Sequence, residues 1–178
     1  MRWRDQLLDQ LNFYWDHQFR PRLEGLTDQE CFWEPVADCW TVRTGPAGTP
    51  QIDWQWPAPD PPPVTTIAWR IAHIAVPVFG MRASAQFGDG SVTVTTARWP
   101  LTADEALAQL DEHHRAWREG VLGLDDEQLQ HPVGAAEGPY AEHPMATLIL
   151  HVNRETMHHG AEIALLRDLH RAGFTTSR

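Results

Sequence analysis

The sequence has no lysine: its 14 basic residues are all arginine. This excludes Schiff-base chemistry, a pyridoxal phosphate attachment and the lysine of a phosphate-binding P-loop. Cysteine is scarce, and Cys31 and Cys39 form neither a disulfide framework nor a CxxC site, so both are read as reduced thiols. No apolar run approaches the roughly 18 residues of a membrane span. Met1-Arg2-Trp3-Arg4-Asp5 leads into an amphipathic pattern without the apolar core of a signal peptide, so a cytoplasmic location is expected. Basic clusters are also missing. With a net charge of -10, a nucleic-acid partner or an anionic membrane surface is not expected.

The 178 residues carry 42% hydrophobic and 21% charged side chains, the balance of one ordinary globular domain spanning 1–178. Helical periodicity defines four long segments. The first covers about 3–19, with Trp3, Leu7, Leu11 and Tyr14 or Trp15 in phase and Pro21 near its end. The second, about 67–87, follows Thr65 or Thr66 as N-cap and is apolar nearly all round, with Pro77 inside it expected to kink the helix or at least to cost it a hydrogen bond. The third, about 103–122, starts at a Thr102/Glu105 capping box and presents Leu107, Leu110, His114, Trp117 and Val121 to the core. The fourth, about 144–172, opens on Pro144 and stops at Gly173.

Between the first two segments lie a capping box at Thr27/Glu30 and a long irregular insertion, 40–64, rich in tryptophan and proline. That insertion reads either as a lid over a pocket or as a structural loop covering core edges. Residues 88–97 carry a Val-Thr alternation too isolated to define a sheet. Gly25-Leu26-Thr27-Asp28-Gln29-Glu30 before Pro35-Val36 is echoed by Gly123-Leu124-Asp125-Asp126-Glu127-Gln128 before Pro132-Val133. Two helix-connection-helix halves follow, giving an all-α four-helix bundle with long connections between helices one and two and between three and four.

The chemistry concentrates in Arg154-Glu155-Thr156-Met157-His158-His159-Gly160-Ala161-Glu162. At about 100° per residue, Met145, Leu148, Ile149, Val152, Ile163 and Leu166 form one stripe. His159 lies within that stripe and Glu155 at its edge, while His151, His158 and Glu162 fall further round. A carboxylate and an imidazole four residues apart on a buried face need a partner, and a metal ion is one. On helix two the only candidate is His73. The set His73, Glu155 and His159 leaves a coordination position open, as catalytic sites do. Its donors suit Zn and also Ni, Fe or Mn. A di-iron centre needs carboxylates from the other helices, and helix two has none. His151 is placed to orient a ligand or to face solvent; His158 is a surface, orienting or substrate-facing residue.

Ile67-Ala68-Trp69-Arg70-Ile71-Ala72-His73, the Gly-Leu-Thr-Asp connection and Glu155 to Ile163 together resemble the DinB-like superfamily, over Trp3 to Leu169. Members are four-helix bundles holding one divalent metal, commonly through a histidine of helix two and two histidines four apart on helix four. Here Glu155 replaces the first of that pair. The Arg154-Glu155 and His159 arrangement is similar to the mycothiol-dependent maleylpyruvate isomerase branch. The resemblance implies a thiol S-transferase or isomerase acting on a small molecule, with a mycothiol- or bacillithiol-like cosubstrate held as thiolate by the metal. A metal-dependent hydrolase using bound water and a non-catalytic metal-binding stress-response module are the alternatives. A homodimer is a further expectation, since bundles with exposed apolar faces often pair.

Overall fold

The computed structural model describes residues 2–175. Four helical rods carry the fold. The first is α1 (Trp3–Tyr14), which runs without a break into a π-helical turn, Trp15–Phe19, and a 3-10 turn, Arg20–Leu23. Its core face is Leu8, Leu11, Trp15 and Phe19, all buried, whereas Trp3 is 63% exposed. Of the expected face, Leu11 and Trp15 are therefore in the core and Leu7 packs partly buried against it, and Trp3 alone stands outside. A short α2 (Asp28–Cys31) follows, closed by the expected reciprocal box: Thr27 Oγ1 accepts from the Glu30 amide, and Glu30 Oε2 accepts from the Thr27 amide.

The segment expected to be wholly irregular contains a hairpin, β1 (Val42–Thr44) antiparallel to β2 (Pro50–Ile52), with Val42 opposite Ile52 and Thr44 opposite Pro50. Strands of three residues are too short to show alternation in sequence. They persist because Val42 packs with Ala72, Val76 and Trp99 in a small second core on the flank of the second rod.

The second rod has three parts: α3 (Ile67–His73), a π-helical stretch Ile74–Gly80, and α4 (Met81–Phe87). Thr66 caps it, its hydroxyl accepting from the Trp69 amide. Pro77 cannot donate to the helical ladder, and the chain takes up that lost hydrogen bond in a π segment. Two side chains serve its carbonyls: His113 Nδ1 lies 2.8 Å from Ala75 O, and Arg82 Nη1 donates to Pro77 O at 2.7 Å. His113 fits beside Gly80, where a Cβ would sit 2.3 Å from its Nδ1.

The third rod is α5 (Ala103–Leu122). Thr102 caps the Glu105 amide; the return bond of a full capping box is not seen among the described residues. Leu110, His114, Trp117 and Val121 are buried on its inner face, and His114 stacks flat on Trp15 at 3.6 Å between centroids. The fourth rod is α6 (Met145–Arg171), whose stripe of Met145, Leu148, Ile149, Val152 and Ile163 is buried in the shared core.

Each of the two echoed connections is tied down by an arginine from a distant rod. Arg167, 1% exposed on α6, donates to the carbonyls of Arg22 and Glu24 and to both carboxylate oxygens of Glu30. Arg4 on α1 donates to the carbonyls of Leu122 and Leu124. The second connection repeats the reciprocal box of the first, since Asp125 accepts from the Gln128 amide and Gln128 from the Asp125 amide. Among the described residues no helix is long and apolar enough to cross a membrane.

Candidate metal centre

Helices α3 and α6 face each other along the bundle and bring three residues together. His73 ends α3, one residue before the π segment, and points across to α6. Glu155 and His159 stand one turn apart on α6, so their side chains lie one above the other. One ligand atom from each of His73, Glu155 and His159 lies within 4.8 Å of the others. The His73 and His159 rings meet edge to face at 4.7 Å between centroids, and His159 Nε2 is 3.4 Å from Glu155 Oε2.

The tautomer of His159 follows from its other nitrogen. Nδ1 lies 2.6 Å from Glu162 Oε2, which can only accept, and 3.3 Å from Arg70 Nη1, which can only donate; the much shorter carboxylate contact assigns the proton to Nδ1, so in the neutral ring the lone pair is on Nε2, the nitrogen nearest Glu155. Glu162 is in turn engaged by Arg70 of α3, whose Nε is 3.1 Å from Oε2 in an ionic contact that lacks hydrogen-bond alignment. Burial pushes the Glu162 carboxyl up, but the His159 hydrogen bond and the Arg70 charge outweigh it and hold the group below its ordinary value. Burial also lowers Arg70. This carboxylate behind an imidazole is how ligating histidines are generally oriented. In the sequence Glu162 was placed off the buried stripe. Its spacing of three from His159 was the signal that could have found it. Arg70 has no comparable signal, because its partner comes from another helix.

His73 is held by aromatic rings. Trp69 stacks on it at 5.2 Å and 6° between planes, and Trp54 of the insertion lies beyond at 6.5 Å and 19°. Trp69 is itself fixed by its indole N–H, which donates to Asp53 O at 2.8 Å. The insertion therefore packs on the centre through Asp53 and Trp54, while Trp56 is 84% exposed and takes no part. Burial first, then the neighbouring charges of His159, Arg70 and Arg82, push the His73 imidazole down to about 3. It is neutral near pH 7, the form that ligates.

His151 and His158 lie to either side. His151 Nδ1 is 3.7 Å from Glu155 Oε1 and accepts from Arg154 Nη2 at 2.7 Å. Burial and the Arg82 charge lower its pKa, against the pull of Glu155. His158 is 63% exposed at its side chain, with Nε2 3.5 Å from Glu162 Oε1. A second grouping, His158, His159 and Glu162, also falls within ligand distance. In it His159 and Glu162 are already hydrogen-bonded to each other, whereas His73 Nδ1 has no hydrogen-bond partner among the described residues.

The residues fit a divalent ion. Two imidazole nitrogens and one carboxylate oxygen are a usual donor set for such ions. His73 Nδ1 is buried with no hydrogen-bond partner among the described residues, a state that costs about 1–3 kcal/mol unless something beyond the chain satisfies it. Beside the centre, a cavity of about 520 Å³ reaches His151 and Arg154 from the 131–144 connection. No curated protein and no solved structure matches the chain. A family model does, that of the DinB superfamily over residues 10–163, and it covers all three residues of the centre and both echoed connections. The chain belongs to the DinB superfamily.

Proposed function

We propose that the protein is a metal-dependent transferase that joins a low-molecular-weight thiol, of the mycothiol or bacillithiol kind, to a small electrophile in the cytoplasm. The observation that carries this reading is the arrangement of His159, with Nδ1–H committed to Glu162 and Nε2 free beside Glu155 and His73. His73, Glu155 and His159 would hold a divalent ion, with zinc first among the candidates, and that ion would supply Lewis acidity favouring the nucleophilic, deprotonated form of a thiol.

The chain's own residues have separable tasks. Glu162 fixes the His159 ring and Arg70 offsets the charge of Glu162. Trp69 and Trp54 shield His73 from water on the insertion side. Glu155 brings one negative charge to a centre whose other two donors are imidazoles, leaving a net positive charge to attract a thiolate. The cavity between the 131–144 connection and α6 gives the electrophile a place next to Glu155.

The test is thiol-dependent turnover by protein loaded with Zn, Ni, Fe or Mn, using mycothiol, bacillithiol and cysteine against a chlorinated nitroarene as electrophile. Metal content is measured on the same samples for the wild type and for His73→Ala, Glu155→Ala and His159→Ala. The wild type is expected to retain about one ion and each variant to lose it. No thiol-dependent turnover with any pair sinks the transferase reading, and turnover that persists without thiol replaces it with hydrolysis. A wild type without metal, and without a metal-linked gain in Tm, replaces it with a non-catalytic module.

A further inference from the structure

The cavity of about 520 Å³ beside the centre is of the size that takes a small organic molecule. It lies between Arg82 of α4, the 131–144 connection and the first three turns of α6. Val133, Tyr140, Leu148 and Leu150 form much of its wall. Two of these are unusually open for their type, Tyr140 at 63% exposure and Leu150 at 56%, so apolar surface lines the mouth as well as the floor.

The charges of this wall do not cancel. Arg82 and Arg154 bring two positive charges and Glu137 one negative, leaving one net positive charge in a protein whose total is -10. Arg82 is already engaged: its Nε is 3.4 Å from Glu137 Oε2, its Nη1 bonds the Pro77 carbonyl, and both ionic side chains are mostly buried. Arg154 is different. Its Nη2 donates to the neutral Nδ1 of His151, and its only carboxylate neighbour among the described residues is Glu155, with Oε1 3.6 Å from its Nε. Once Glu155 serves as a ligand, Arg154 is the cation of the cavity without a dedicated counter-charge.

We propose that this cavity binds an amphipathic monocarboxylate, with its carboxylate on Arg154 beside His151 and its apolar body against Val133, Tyr140, Leu148 and Leu150. One surplus positive charge matches a monoanion better than a phosphate dianion. Arg154 adjoins Glu155 in sequence and in space, so the bound molecule has its polar end toward Glu155. The assignment of this molecule as the second reactant rests on the transferase reading above; its binding does not.

The experiment is calorimetric titration of the full chain, metal-free and zinc-loaded, with 3-phenylpropionate, the neutral 3-phenylpropionamide and phenyl phosphate. Saturable one-to-one binding of 3-phenylpropionate is expected, with the amide at least about tenfold weaker, as loss of a charge-assisted hydrogen bond requires. Arg154→Gln, on an exposed side chain that does not endanger folding, is expected to weaken 3-phenylpropionate about tenfold and to leave the amide unchanged. Arg98→Gln, at an exposed position lining a different surface depression, is expected to change neither. Equal binding of acid and amide, unaltered affinity in Arg154→Gln, tighter binding of phenyl phosphate, or no saturation in either form overturns the proposal. Zinc content is read separately on the same samples. Zinc retention without carboxylate binding overturns this inference alone, and carboxylate binding by protein that retains no metal overturns the transferase reading alone.

Discussion

Replacing Glu30 by glutamine tests how α6 is anchored. Glu30 is buried and accepts from Arg167 Nε and Nη2, each at 3.2 Å, from Arg171 Nε at 2.9 Å and from the Thr27 amide at 3.2 Å. Burial alone would push its carboxyl up. The hydrogen bonds from Arg167, the Thr27 amide and Arg171, with the Arg167 charge, overcome that and lower it from 4.5 to about 2. At about 1.4 kcal/mol per pH unit, the shift contributes about 3 kcal/mol of stability at neutral pH. Breaking a buried pair from one side costs about 3–5 kcal/mol, and Arg167 keeps the carbonyls of Arg22 and Glu24, so the lower end applies. Both routes give a loss of about 3 kcal/mol for Glu30→Gln at pH 7. Because the folded pKa is depressed, this stabilisation is complete above the unfolded value of 4.5 and is lost as pH falls toward about 2. At pH 3 the gap between variant and wild type should narrow to roughly 1.5 kcal/mol. Urea unfolding followed by tryptophan fluorescence at the two pH values measures it. A penalty below about 1 kcal/mol at pH 7, or one that is the same at both, refutes the account.

Three further outcomes are expected. Glu162→Gln frees the His159 ring from a carboxylate and should weaken zinc binding by about 10–100-fold in chelator competition while the apo fold stays intact. Gly160→Ala puts a Cβ 2.3 Å from Tyr14 Oη and 3.0 Å from Phe19 Cδ2, displacing the tyrosine that donates to Met157 O; a loss of about 1–3 kcal/mol by chemical denaturation is expected, and an unchanged midpoint would contradict the close approach of α1 and α6. Cys31 is fully buried, and burial with the charges of Asp28 and Glu30 raises its thiol to about 12. Iodoacetamide at pH 8 should leave it unmodified in the folded protein, as mass spectrometry of peptides would report.

Much of the bundle was legible because its signals are local. The apolar stripe of α6, the Thr27, Thr66 and Thr102 caps and the punctuation at Pro144 and Gly173 need no knowledge of neighbours. The juxtaposition of His73, Glu155 and His159 followed from face geometry and from helix two having a single histidine. What escaped depends on tertiary partners. The β1–β2 hairpin is too short to carry a strand period and is specified by the contact of Val42 with Ala72, Val76 and Trp99. On α1 the expected face holds from Leu7 to Trp15, which packs on Phe79 and His114, and only Trp3 at the start of the helix lies outside it. Arg167 looks like an ordinary cation near a helix end, yet it is among the most deeply buried side chains because Glu30, 137 residues earlier, is waiting for it.

The π segment at Ile74–Gly80 sets where the two ends of the second rod point. His73 and Arg82 are nine residues apart, which in a straight α-helix turns them about 180° from each other. One extra residue accommodated in the widened turn takes back about 100°, bringing both toward α6, His73 to the metal centre and Arg82 to the wall of the cavity. The stretch acts as a rotational spacer. Removing a single residue from it would swing Arg82 away from Glu137 and out of register with His73, so the width of this one turn decides whether both ends of the rod address the same face of α6.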